Sequence, residues 1–364
     1  MHTISHDRTN PRALARQIIF PGLGEAGQRK LLAATVVVVG CGATGTVLAN
    51  HLARSGVGRL RIVDRDFIEL NNLQRQLLFD EQDIADGLPK AEAARRKLAR
   101  VNSEITIEGI VADVSADNIV SLIRDADLVM DGADNFETRF LLNDACAKLG
   151  IPWIYSGVIG SYGMTMTIRP GKTACLRCLL GQMPAPGTTA TCDTAGVLAP
   201  SVSVVASIAA GEAIKLLAGF GELNDGLINY DLLDNSLEQF QVLRREDCET
   251  CGRGNYEFLN AEAGTRTATL CGRNAVQISV PGGQRLDLDA PPPACAGRAS
   301  TTWPSTPTCA PAPTRSRSPS SPTPAPSSRD GGCERGAECV CEVCRCIKKP
   351  GFFGETRFLI FASV

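Results

Sequence analysis

The chain has 364 residues, 44% of them hydrophobic, and a formal net charge of −2. That is enough apolar material for one large core with appendages, and so even a charge balance excludes recruitment of nucleic acid or an acidic membrane by a global field. Fifteen cysteines behind a polar N-terminal stretch favour metal or thiol chemistry in a reducing cytoplasm over disulfides, and the only histidines (His2, His6 and His51) leave almost no candidate for a histidine base.

Residues 1–33 read as a helical arm, with helical turns predicted over 11–19 and 25–33. The β-branched run T-V-V-V-V at 35–39 reads as a buried strand, and a glycine-rich turn and a helix over 44–54 follow it. Strand and helix then alternate: 61–63 extended, 90–100 helical, 105–111 extended, 116–124 helical, 128–130 extended, 135–149 helical. This alternation predicts an α/β fold with a doubly wound, mostly parallel, Rossmann-like sheet. After residue 154 the pattern becomes hairpin-like, at 155–158 and 164–168, and antiparallel strands there would extend the same sheet. A long helix is expected near 202–217. The most apolar stretch, 197–211, contains Pro200 and three serines and runs into Glu212, so it reads as too short and too polar to span a bilayer.

The main domain is expected to cover 34–252, with a small strand-bearing extension over 253–290. Residues 291–364 are expected to be a disordered tail, because their Pro-, Ser- and Thr-rich beginning cannot bury enough apolar surface to offset ordering entropy. A shifted reading frame is the alternative for the change of composition near Ala290, and in either reading Cys333, Cys339, Cys341, Cys344 and Cys346 are incidental rather than a metal site.

Gly40-Cys41-Gly42-Ala43-Thr44-Gly45 is a G-x-G-x-x-G turn between a strand and a helix. Its first glycine permits the tight turn, the second lets a phosphate approach the backbone, and the third lets helix pack on strand. The helix N-terminus offers N–H groups and a partial positive charge to an anion. Asp64 ends the next strand at the separation suited to a ribose hydroxyl. A triphosphate cleaved between its α- and β-phosphates needs further cations for the departing pyrophosphate, and Arg75 and Lys90 are placed to supply them, with Asn72 as an amide donor. Asp134, in D-G-A-D-N at 131–135, lies past the end of a strand where open α/β sheets bind ligands, and its carboxylate suits magnesium.

Together the glycine turn, V-D-R-D at 63–66, N-N-L-Q-R-Q at 71–76, Lys90 and D-G-A-D-N resemble the ubiquitin-activating-enzyme-like superfamily. They look like its bacterial adenylyltransferases for the molybdopterin-synthase and thiamine-thiazole sulfur carriers. The resemblance spans about residues 13–252 and includes R-Q-I-I at 16–19. It implies that Asp64 binds ribose, that Asn72, Arg75 and Lys90 bind phosphates, that Asp134 positions Mg2+, and that the adjoining Asn135 contacts nucleotide. Arg16 would reach the nucleotide of the partner subunit in a homodimer. The implied activity is ATP-dependent adenylylation of the C-terminal glycine of a small ubiquitin-like carrier ending in Gly-Gly, preparing it for thiocarboxylate formation with a sulfur donor protein. No nucleic acid or membrane partner is implied.

Cys175-x-x-Cys178 and Cys248-x-x-Cys251 could close a four-thiolate zinc site, which would be structural because no coordination position stays open. Two unrelated pairs, or one redox pair, are the alternatives, and the resemblance favours zinc. Cys192, in T-A-T-C-D-T-A-G-V, resembles the cysteine with which some members bond their carrier; a bystander is the alternative. Cys146 reads as a core residue, while Cys41 and Cys271 receive no role. Rival readings are a nicotinamide-dependent oxidoreductase, a non-catalytic binding module, and a relative that adenylates a small molecule or a tRNA base.

Overall fold

A computed structural model describes residues 11–185, 188, 192–260, 267–270 and 275–278. The chain forms two compact units, Met1–Thr265 and Arg266–Val364. In the second, the described residues are two strands, Thr267–Leu270 and Ala275–Ile278, paired antiparallel. The whole of the expected tail, with its cysteines, and Cys271 lie outside the described residues.

The first unit opens with α1 (Pro11–Ile18) and α2 (Gly24–Ala33), then β1 (Thr35–Val39), α3 (Ala43–Arg54), β2 (Arg59–Val63), α4 (Glu81–Ala85), α5 (Lys90–Val101) and β3 (Thr106–Ile110). It continues through α6 (Ile119–Ile123), β4 (Leu128–Asp131), α7 (Phe136–Leu149), β5 (Trp153–Ile159), β6 (Tyr162–Ile168), α8 (Leu176–Leu180), α9 (Cys192–Ala195), α10 (Ala199–Ala218), β7 (Leu227–Asp231) and β8 (Ser236–Phe240). The eight strands form one sheet in the order β3-β2-β1-β4-β5-β6-β7-β8. β1 to β5 are parallel, and the sheet continues antiparallel through β6, as expected, and on through β7 and β8, which the sequence reading did not mark.

β1 explains the continuous valine run. Val36 and Val38 enter one core, with α3, α5 and α10, while Val37 and Val39 enter the other, with Phe140 of α7 and Trp153 of β5. A strand covered on both faces has no polar alternate positions. β1 lies between β2 and β4, so the strand order reverses there and opens a crevice at the carboxyl ends of β1 and β4.

α10 is longer than expected because Pro200 occupies its first turn, where the missing N–H costs nothing. At 20 residues it is long and apolar enough, by length and composition alone, to cross a membrane, contrary to the sequence expectation. It is half buried and packs on α3, α2, β5 and β6 as a core helix. The first unit also extends past residue 252. Asp144 of α7 accepts Thr250 Oγ1 at 2.8 Å and Phe258 N at 2.9 Å, and Phe258 packs 5.1 Å from the Phe140 ring.

One buried ion pair ties β4, β5 and α7 together. Asp131, the last residue of β4, accepts Arg139 Nε at 3.0 Å, Ser156 N at 3.3 Å and Ala133 N at 2.9 Å. Arg139 Nη2 donates to Ala133 O at 2.7 Å and Ser156 O at 3.0 Å, and its guanidinium lies 5.3 Å from the Tyr155 ring centre. Burial raises the pKa of Asp131, and Arg139 opposes that shift. Arg139→Met should therefore cost about 3–5 kcal/mol, because it strands a buried carboxylate. A stranded carboxylate titrates still higher in the folded state than in the unfolded chain. The folded variant then binds the extra proton as pH falls, so urea denaturation should show a smaller deficit at pH 5 than at pH 8.

Candidate active site

The crevice between β1 and β4 is built on glycine. Gly40 leaves β1 with φ of 90°, a left-handed conformation that L side chains rarely adopt. Its carbonyl is crowded from two sides: a Cβ on Gly45 would lie 2.0 Å from Gly40 O, and one on Gly132 would lie 2.3 Å from it. Gly42 differs. A Cβ there would meet only Gln76 Nε2, at 3.9 Å, so this glycine faces an opening. Gly42 is also the N-cap of α3 and provides no side-chain cap, leaving first-turn N–H groups and the helix dipole for an anion.

Asp64 follows β2 directly. Its Oδ2 accepts Cys41 N at 2.6 Å and its Oδ1 accepts Asp66 N at 2.7 Å, which fixes the carboxylate beside the glycine turn. Desolvation pushes its pKa up to about 6 against the opposing pull of Lys90. Lys90 begins α5, donating its backbone N–H to Asp66 O at 2.8 Å and its Nζ to Asp66 Oδ2 at 3.3 Å. Burial lowers its pKa, but the carboxylates of Asp64, Asp66 and Asp134 more than offset this, and the net shift is upward. The ammonium is therefore kept charged in a desolvated place.

Asn72 is buried in a short 3₁₀ turn over Leu70–Asn72. Its Oδ1 accepts Glu69 N at 3.1 Å, and its Nδ2 donates to Asn71 Oδ1 at 2.7 Å. Arg75 Nη1 donates to Asn71 O at 2.8 Å. Both expected phosphate contacts thus also brace their own loop. Asp134 is exposed just past β4, its Oδ1 accepting Asn135 Nδ2 at 3.1 Å. Asn135 caps α7 by accepting Thr138 N at 2.8 Å, a structural duty that the sequence reading did not give it.

One expected residue stands apart from this cluster. Arg16 is exposed on α1, and its neighbour Gln17 donates to Ser55 O at the far end of α3. Twelve helical residues span about 18 Å, so Arg16 lies at the opposite end of α3 from Gly42. Cys192 begins α9, and its side chain lies outside the described residues. Gly196 and Leu198, which follow, bond to Gly160 in the β5–β6 turn, at 2.9 Å in both directions. This segment therefore runs along the same carboxyl edge of the parallel strands as Asp134.

The four paired cysteines converge. Cys175 Sγ lies 3.9 Å from Cys178 Sγ and 3.6 Å from Cys248 Sγ, and Cys178 Sγ lies 3.4 Å from Cys251 Sγ. All four sulfurs fall within 4.8 Å of one another. A tetrahedral S₄ zinc site with bonds of about 2.3 Å places its sulfurs about 3.8 Å apart, so the cage fits that ion. A disulfide would bring two sulfurs to about 2.05 Å. Cys41 and Cys146 are buried elsewhere, and desolvation pushes both thiols well up, as suits core residues.

Sequence reasoning gave no role to four polar residues of this region: Asp66, Gln76, Asp131 and Arg139. Three of them sit inside the quoted motifs, Asp66 as the second acid of V-D-R-D, Gln76 as the last residue of N-N-L-Q-R-Q, and Asp131 as the first acid of D-G-A-D-N. Arg139 follows the last motif by one helical turn.

Residues 14–250 match the ThiF family. The sulfur carrier protein ThiS adenylyltransferase of Bacillus subtilis is 46% identical over 278 residues, covering 76% of this chain and 82% of that protein. The molybdopterin-synthase adenylyltransferase of Salmonella typhimurium is 39% identical over 241 residues, 65% of this chain and 95% of that protein. Among solved structures, E. coli MccB with ATP superposes with a TM-score of 0.58 at 27% identity, covering 68% of this chain and 77% of that chain.

The glycines permit a differential test. Gly42→Ala should fold with a loss of about 1 kcal/mol or less, because its methyl enters open space, yet it should weaken nucleotide binding sharply by filling the anion's approach. Gly45→Ala should instead lose about 3 kcal/mol or more, from overlap with Gly40 O. Chemical denaturation and calorimetric titration of ATP against both variants would check the separation.

Proposed function

The chain belongs to the ThiF family, and from that premise we propose that it uses ATP to adenylylate the C-terminal carboxylate of a small ubiquitin-like sulfur-carrier protein. It is an adenylyltransferase. The observation that carries the reading is the buried, charged Lys90 at the mouth of an uncapped helix N-terminus whose second glycine faces an opening. A nicotinamide oxidoreductase would share the glycine turn and Asp64. It has no use for a desolvated cation at the phosphate end.

In the reaction, a carboxylate oxygen of the carrier's terminal glycine attacks the α-phosphorus, and the bond to the β-phosphate oxygen breaks. The products are the carrier acyl-adenylate and pyrophosphate. Proton transfer is not required, so the site works by positioning and by neutralising charge on the leaving group. Asp64 orients the ribose, the first turn of α3 takes a phosphate, and Lys90, Arg75 and Asn72 receive the charge that develops as pyrophosphate departs. Asp134, with phosphate oxygens, would hold magnesium, which supplies further neutralisation. The outer sulfur of the donor protein's persulfide then attacks the acyl carbon and AMP leaves, giving a carrier–donor acyl disulfide. An enzyme thiol displaces the donor's thiol to hold the carrier as a reducible acyl disulfide. A reducing thiol, itself ending in a disulfide with the enzyme, frees the thiocarboxylate. Cys192 belongs to a segment on this sheet edge, and in our reading its thiol forms the covalent link to the carrier.

Two structural assignments accompany this reading. The exposed Arg16, remote from its own Gly42, serves the site of a second subunit, which makes the enzyme a homodimer. The four-thiol cage binds structural zinc, which requires thiols kept reduced, as in the cytoplasm. A carrier in thiamine formation suits the 46% identity to the ThiS enzyme.

Carrier-dependent exchange of pyrophosphate with ATP tests the chemistry. Lys90→Ala should lose it by roughly 100-fold or more while remaining folded, by analogy with the loss of one oxyanion donor. Cys192→Ala should keep exchange but form no reducible carrier adduct by intact-mass analysis. Mixed Arg16→Ala and Lys90→Ala chains should recover part of the activity, and failure despite proven subunit exchange would refute action in trans. Purified protein should carry about one zinc per chain. Cys251→Ser should lower the melting temperature far more than the affinity for ATP, and a metal-free, fully stable preparation would refute the zinc assignment.

A further inference from the structure

Gln76 is buried, at 4% of its full exposure, yet its Oε1 is sealed from solvent and accepts no hydrogen bond. A residue present only to fill space would not leave an amide oxygen unpaired; leucine or methionine would fill the same volume without that cost. The other end of the amide is the informative one. Nε2 lies 3.9 Å from the place a Cβ would occupy on Gly42, and among the described residues, Gly42's chain neighbours aside, no other heavy atom lies within 4 Å of that place. Gly42 is where the backbone opens to an anion, at an N-terminus that no side chain caps.

The backbone of the same residue is held firmly. Gln76 N donates to Asn72 O at 2.9 Å, and Phe79 N donates to Gln76 O at 3.1 Å. The loop is braced again by Arg75 on Asn71 O. A rigid main chain thus carries the amide to the rim of the opening, with Nε2 as the atom nearest Gly42. Lys90 at the start of α5 and Arg75 in this loop are the cationic donors, and the first turn of α3 offers backbone N–H groups. A neutral side-chain donor there would complete the ring around a phosphate without adding charge.

The geometry points to Gln76 as a substrate-contacting residue whose amide N–H donates to a phosphate oxygen of the nucleotide above Gly42. This rests on the adenylylation reading and adds a contact to its site. Ground-state binding should carry much of the effect, because the amide meets a phosphate that is charged before reaction as well as during it.

The test uses the full chain with Gln76→Met, which keeps the volume and removes the donor, and Gln76→Glu, which keeps the shape and sets a like charge against phosphate. Unliganded melting temperatures establish that both fold. Calorimetric titration at pH 8 should show the ATP Kd raised roughly ten-fold or more for Gln76→Met, and raised further for Gln76→Glu. Adenosine, followed by saturation-transfer NMR, should bind both variants as it binds wild type. Equal loss of adenosine and ATP would mean that Gln76 only shapes the pocket and would overturn the assignment, as would wild-type ATP affinity in Gln76→Glu. Failure of the wild-type chain itself to bind ATP would sink the adenylylation reading instead, so the two failures are distinguishable.

Discussion

The site depends on one steric constraint, the crowding around the carbonyl oxygen of Gly40. The first turn of α3 and the end of β4 press on that oxygen from two sides, so closely that no side chain fits at Gly45 or Gly132. This contact brings the α3 N-terminus, the end of β2 and the end of β4 to one edge of the sheet. Without it, the donors of α3, the Asp64 carboxylate and the loop bearing Asp134 would not face a common opening. Three missing side chains thus do more to place the chemistry than any single hydrogen bond.

The electrostatics follow from that geometry. A buried ammonium among carboxylates retains its proton, and Lys90 has Asp64, Asp66 and Asp134 around it. The same carboxylates hold it in place, Asp66 at 3.3 Å. A polyanionic ligand would exchange these partners for phosphate oxygens. Lys90 is therefore paired within the protein, and the desolvation that would otherwise penalise it is offset by groups of opposite sign. Beneath it, the Asp131–Arg139 pair fixes both backbone polar groups of Ala133, which presets the chain direction at Asp134.

Much of this was legible in the sequence. The valine run, the glycine turn and the strand–helix alternation each follow from periodicity and sterics, and the structure places those elements within a few residues. The paired cysteines were legible as pairs, and their convergence across 73 residues needed the fold. What escaped has physical reasons. β7 and β8 were not marked: β8 lies at the sheet edge with nearly every residue exposed, so it carries no alternating apolar signal. Asn135 was read as a nucleotide contact because a motif contained it, and the additional duty of its oxygen as the cap of α7 is set by the helix start rather than by the motif. Gln76 and Arg139 are single polar residues whose significance lies in what surrounds them, and spacing alone does not encode that.

The thiol cage alters how the chain is connected. It joins Cys175 and Cys178 to Cys248 and Cys251, and between those pairs lie α9, α10, β7 and β8. With a metal bound, that stretch becomes a closed ring of about seventy residues, whose closure restricts the unfolded chain as a cross-link does. A ring, unlike a thread, survives one cut. A single backbone break between Cys178 and Cys248 would leave two polypeptides still joined at the clasp after denaturant had parted their shared sheet, until a chelator opened it.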